Sequence, residues 1–131
     1  MVNNREKALE AIHTQVRACR RCPLHVGRTH AVPGDGPANA TLMFIGEAPG
    51  FHEYQQGIPF VGAAGKFLNE LLEKSGIDRG MVYITNVIKC RPPGNRDPLI
   101  EEVDVCSPYL DQQIEIINPQ VIITLGRHSM N

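Results

Sequence analysis

The stretch "TLMFIGEAPGFHEYQQGIPFVGAAGKFLNELLEKSG", residues 41–76, decides the fold. Residues 41–45 are a short, continuous apolar run, the pattern of a strand buried on both faces. From residue 63 onward, Phe67 and Leu68 pair with Leu71 and Leu72 at helical spacing, and Gly76 suits a helix stop. Between strand and helix lies a segment holding Gly46, Gly50, Gly57, Gly62, Pro49, Pro59, Glu47 and Glu53. A connection that only reversed the chain could be shorter and plainer. Glycines that let backbone approach closely, set beside two carboxylates, point to a segment built to hold a ligand.

Working outward, the same alternation recurs. Ala8, Leu9, Ile12 and Val16 place a first helix over residues 3–18, followed by a loop over 19–40 that ends in "PGDGPANA". "MVYITNVI" (81–88) is a β-branched strand, and "KCRPPGNRDP" (89–98) a second loop, in which Asp97 can cap a helix that has Pro98 at its first position. Ile100, Val103, Cys106, Leu110, Ile114 and Ile117 then share one helical face, Asn118–Pro119 ends the helix, and "QVIITL" (120–125) is a third strand. Strand, helix, strand, helix, strand implies an α/β fold of three layers, α/β/α, around a central parallel sheet. Ligands of such sheets sit beyond the carboxyl ends of the strands, so the loops 46–61 and 89–98 should converge on one site. No internal repeat is visible.

The 131 residues are 42% hydrophobic and 21% charged, which fits a single globular domain over 1–131. The net charge of −1 excludes a generally basic nucleic-acid binder, while leaving room for a local basic patch. No apolar run approaches the roughly 20 residues of a membrane span, and the charged start lacks the apolar core of a signal peptide. The expected setting is the cytoplasm, where structural disulfides are rare, so the four cysteines call for another role. Cys19 and Cys22 form C-x2-C; Cys90 and Cys106 follow much later. Four thiolates suit tetrahedral zinc or an iron–sulfur cluster, and Cys106 on its apolar face would also serve as a small buried hydrophobe.

Together, "GEAPG" at 46–50, "PFVGAAG" at 59–65, "TNVIKCRPPGNRDP" at 85–98 and the order of the four cysteines resemble the family 4 uracil-DNA glycosylases, the iron–sulfur members of their superfamily. The resemblance runs from about Cys19 to Leu125. It implies hydrolysis of the N-glycosidic bond of uracil in DNA, leaving free uracil and an abasic site. It implies a structural [4Fe–4S] cluster on Cys19, Cys22, Cys90 and Cys106, with ligands from 19–22 and 90–106. Glu47 is implied to stand by the base and the attacking water, with Glu53 as a second acidic, catalytic position. Backbone of Gly46, Glu47 and Ala48 would bind the base, and Phe60 would stack on it, a contact worth about 1–3 kcal/mol in comparable sites. Asn86 can accept from uracil N3–H and donate to O4, a pattern that cytosine reverses. Lys89, Arg91 and Arg96, with Arg17, Arg20 and Arg21 beside the first cysteines, are the candidate phosphate contacts. The expected partner is uracil-containing DNA, with no membrane, and the expected state is a monomer.

The family's final motif, which begins His-Pro, has no counterpart before Asn131: His128 is followed by Ser129. The expectation is a chain that lacks a C-terminal strand and helix. His13, His25, His30 and His52 match no family role and read as surface or loop residues. The second loop carries no inserted histidine, which argues against a branch that traps uracil covalently. The competing class is a non-catalytic, metal- or cluster-containing nucleic-acid-binding module; Glu47, Phe60 and Asn86 in register favour the enzyme.

Overall fold

The computed structural model describes residues 4–19, 31–46, 59, 63–89 and 100–124. In chain order these form α1 (Asn4–Arg17), β1 (Leu42–Gly46), α2 (Ala63–Lys74), a 3-10 turn (Arg79–Met81), β2 (Val82–Asn86), α3 (Ile100–Ile117) and β3 (Val121–Thr124). The three strands make one parallel sheet in the order β2-β1-β3, with Leu42 opposite both Val82 and Val121.

Side chains alternate across a strand, so each face of this sheet has its own core. Met43, Ile45 and Tyr83 pack with Leu9 of α1 and with Leu110 and Ile117 of α3. Phe44, Val82 and Ile84 pack with Leu68 and Leu72 of α2 on the opposite face. The expected three-layer α/β/α architecture is therefore present. Helix α2 ends as the glycine predicts. Gly76 has φ +70°, Ile77 N–H donates to Leu72 O at 2.9 Å, and Gly76 N–H donates to Glu73 O at 3.2 Å. This is a Schellman closure, and the residue after the glycine, Ile77, packs back onto the Leu72 cluster. Asn118, at φ 49°, ends α3 in the left-handed region, as an Asn tolerates.

Three expectations need correction. Within the apolar stripe of α2, Leu68 and Leu72 are buried, whereas Phe67 and Leu71 lie one position round the helix and are exposed. In α3, Cys106, Leu110 and Ile117 of the apolar stripe are buried, but Glu102, Tyr109 and Gln113 are buried with them and Ile100 is exposed. The third strand, read like the others as a continuous apolar run in a sheet with helices on both faces, leaves Val121 and Ile122 exposed; among the described residues it has a neighbouring strand, β1, on one side only. The expected Asp97–Pro98 helix start lies outside the described residues.

The loop ahead of β1 seals the opposite edge. Asp35 and Ile84 exchange both backbone hydrogen bonds at 2.8 Å in an antiparallel bridge. Arg79 clamps the turn by donating to Asp35 Oδ2 at 2.9 Å and to Val82 O at 2.6 Å. Gly36, at φ +139°, lies so close to β2 that a Cβ there would stand 2.4 Å from Val82 O. Neither atom can rotate away. Gly36→Ala is expected to destabilise the fold by on the order of 1–3 kcal/mol. A urea midpoint unchanged from the parent chain would contradict this account of the loop.

Candidate active site

Strands β1 and β2 end side by side. Gly46 is the direct partner of Asn86, and Val87 N–H donates to Gly46 O at 3.0 Å. The chain leaves β1 toward α2 on one face of the sheet and leaves β2 toward α3 on the other. Adjacent strands whose continuations part to opposite faces open a crevice at their carboxyl ends, the usual binding position in such sheets. Asn86 is 2% exposed and, by strand alternation, shares the α2 face with Ile84 and Gly46. The structure thus brings Gly46 and Asn86 together. Glu47, Ala48, Glu53 and Phe60 lie outside the described residues.

Behind Asn86, on the α1/α3 face, lies a buried polar network. Lys89 is 1% exposed. Its ammonium donates to Thr85 Oγ1 at 2.7 Å, to Asn86 O at 2.5 Å and to Gln113 Oε1 at 2.7 Å. The amide of Gln113 in turn donates to Pro33 O at 2.8 Å and to Tyr83 Oη at 3.0 Å. Tyr83 Oη lies 2.7 Å from His13 Nε2, so with Gln113 as donor to the phenol oxygen, Tyr83 can donate to a neutral histidine. Thr85 Oγ1 donates to Pro33 O at 2.8 Å. Among the described residues, every buried side-chain nitrogen and oxygen has a partner.

Burial sets the protonation of these groups. It pushes Lys89 down to about 7, raises Tyr83 above the ordinary tyrosine value and lowers His13 below the ordinary histidine value. Two sequence readings are corrected here. Lys89 is not a surface phosphate contact, because its ammonium is enclosed by β2 and α3. His13 is not a surface histidine; it faces Tyr83 from the inner side of α1. Arg91 and Arg96 lie outside the described residues.

The cysteine expectation is testable at two of four positions. Cys19 and Cys106 belong to one cluster: Cys106 is buried in it with Ile12, Val16 and Ile88, and Cys19 packs against it. The sulfur of Cys106 accepts the backbone N–H of Lys89 at 3.3 Å, which places it beside the residue that precedes Cys90 in the chain. Two thiols in one cluster, one of them already accepting a backbone N–H, fit a cysteine-ligated centre. Among the described residues no group of three metal-binding side chains is gathered; Cys22 and Cys90 lie outside those residues. Sequence reasoning missed Gln113, Thr85 and Tyr83. The available signal was a glutamine one position off the apolar stripe of α3, where an exposed residue is the ordinary expectation.

His13 generates a pH prediction. Below the unfolded-state value of about 6.5, the unfolded chain takes up a proton that the folded chain resists, so stability falls as pH drops. Burial is the largest cause of the shift; the charges of Arg17 and Lys89 reinforce it, and those of Glu10 and Asp35 oppose it. His13→Gln keeps an acceptor for Tyr83 and removes the titration. Its loss of stability between pH 7.5 and 5 is expected to be smaller than that of the parent chain, measured by denaturant midpoints. Equal losses would contradict the placement of His13.

The chain matches the Uracil DNA glycosylase superfamily over residues 33–131. It is 55% identical to the Type-4 uracil-DNA glycosylase of Sulfurisphaera tokodaii, over 93% of this chain and 56% of that protein. It is 50% identical to the Type-4 uracil-DNA glycosylase of Thermotoga maritima, over 97% of this chain and 66% of the relative. Similarity to the Type-5 uracil-DNA glycosylase of Thermus thermophilus is lower, at 31% over 90% of this chain and 68% of that protein. The chain spans about 56–66% of the length of the curated Type-4 relatives it matches.

Proposed function

Because this chain belongs to the uracil-DNA glycosylase superfamily, we propose that the protein containing it hydrolyses the N-glycosidic bond of uracil in DNA, releasing free uracil and leaving an abasic site. The observation that carries the proposal is the pairing of Gly46 with the buried Asn86 at the ends of β1 and β2. That arrangement supports a site in which backbone and one amide read a planar base.

A base inside a duplex is out of reach, so the reading requires the uracil to be turned out of the stack into the crevice. Asn86 would accept from N3–H and donate to O4, while cytosine would leave buried groups unpaired. Phe60 would stack on the ring. As the bond breaks, the sugar gains oxocarbenium character and the uracil leaves as an anion; backbone N–H groups of Gly46, Glu47 and Ala48 would stabilise its oxygen. Glu47 would orient the attacking water, with Glu53 as the second carboxylate of the segment. Arg91 and Arg96 would be the phosphate contacts. Cys19, Cys22, Cys90 and Cys106 would hold a [4Fe–4S] cluster, and the Lys89 N–H on the Cys106 sulfur supports the donor set. When bound, that group supplies a cross-link between loops rather than a chemical step. No helix among the described residues is long and apolar enough to cross a membrane.

Asn86→Asp removes the donor to O4 and sets a carboxylate against it. In the full-length protein, uracil excision is expected to fall by at least about a hundredfold. Excision at the parental rate would overturn the pocket assignment. Cys106→Ala is expected to lose iron and thermal stability together; a variant that keeps its full iron content would remove Cys106 from the ligand set.

A further inference from the structure

Lys89 is buried, the function above does not use it, and its bonds converge on the residue proposed to read the base. In the order β2-β1-β3, β2 has β1 on one side and, among the described residues, no strand on the other. Along that outer edge, Ile84 pairs with Asp35 through both of its backbone groups. Two residues on, the Asn86 carbonyl points the same way by strand alternation, and it accepts from Lys89 Nζ at 2.5 Å. The ammonium takes the place of a missing ladder donor.

The consequence falls on one peptide plane. Its N–H, that of Val87, donates to Gly46 O at 3.0 Å, and its carbonyl, that of Asn86, accepts from Lys89. Pinned at both edges, this plane fixes the direction in which the Asn86 side chain leaves the backbone. Lys89 is itself held by four further hydrogen bonds. Its N–H donates to Cys106 Sγ at 3.3 Å, its carbonyl accepts from Val32 N–H at 2.6 Å, and its ammonium donates to Thr85 Oγ1 and Gln113 Oε1. A methionine would fill the same space without the penalty of enclosing an amine, so packing alone gives no reason for a lysine.

We propose that Lys89 is a positioning residue, which holds the Asn86 amide in the orientation that reads uracil and ties that orientation to the Cys106 side of the fold. The proposal rests on the reading of Asn86 given above.

The test is a double-mutant cycle in the full-length protein, with samples matched for iron content. The variants are K89M, N86A and the pair, assayed by single-turnover excision from single-stranded uracil-containing DNA, with KM measured separately. K89M alone is expected to reduce the chemical rate by about tenfold or more with a smaller change in KM, and to cost less than about twofold further in the N86A background. If K89M lowers the rate by the same factor in both backgrounds, Lys89 merely stabilises the fold and the positioning role is overturned. If N86A excises uracil at the parental rate, the base-reading assignment itself fails, and the proposal with it; that result does not depend on Lys89. Should K89M fail to unfold cooperatively, Thr85→Val, which removes a single acceptor of the ammonium and keeps the side-chain shape, runs through the same cycle with the same criteria.

Discussion

An ammonium with almost no solvent exposure must find its hydrogen-bond acceptors inside the protein, and this constraint shapes one half of the molecule. The three acceptors of Lys89 come from Thr85 and Asn86 at the end of β2 and from Gln113 on α3. Gln113 then commits its own amide to Pro33 and Tyr83, and Tyr83 commits its hydroxyl to His13 on α1. In a low-dielectric interior such a network stabilises only when every member is satisfied. The register of α3 against the sheet, the course of the loop through Pro33 and the inward face of α1 are therefore set together. On the opposite face α2 covers the sheet with Leu68 and Leu72, packed against Phe44, Val82 and Ile84.

The division of labour between the two faces gives the proposed chemistry its setting. Gly46 and Asn86 end adjacent strands, and α2 packs on the face of the sheet that carries Phe44 and Ile84. The cysteine cluster lies on the other face, among α1, α3 and the residues after β2. Lys89 stands between them, with its backbone against Cys106 and its side chain against Asn86. One residue in this way connects the Cys106 side of the sheet to the strand end that carries Asn86. Superfamily membership identifies the reaction class to be tested; the strand-end geometry supports where a base would lie.

Much of the fold was legible in the sequence because its signals are periodic. The apolar runs around Phe44 and Ile84, the Leu68/Leu72 spacing and the closure at Gly76 each follow from local chemistry, and together they imply the parallel three-layer sheet. The departures share one cause, which is that burial is decided by neighbours distant in the chain. The polar side chains of Gln113, Lys89 and His13 are buried because they satisfy one another across α3, β2 and α1, and no window of sequence contains all three. Val121 and Ile122 are as apolar as the residues of β1, yet they are exposed on a strand that, among the described residues, has a neighbour on one side only. Of the candidate site, Gly46 and Asn86 are register partners at the strand ends, and Cys19 and Cys106 share one cluster. Lys89 was placed wrongly because a lysine beside arginines ordinarily belongs to a solvated patch.

The measurement that bears most directly on the central claim is release of free uracil from a uracil-containing DNA strand by the full-length protein, with iron determined on the same sample. The account predicts stoichiometric iron, release of uracil and an abasic product, with no release of cytosine from the matched strand. Iron-loaded protein that binds the strand without releasing uracil would contradict it and leave a nucleic-acid-binding module in its place.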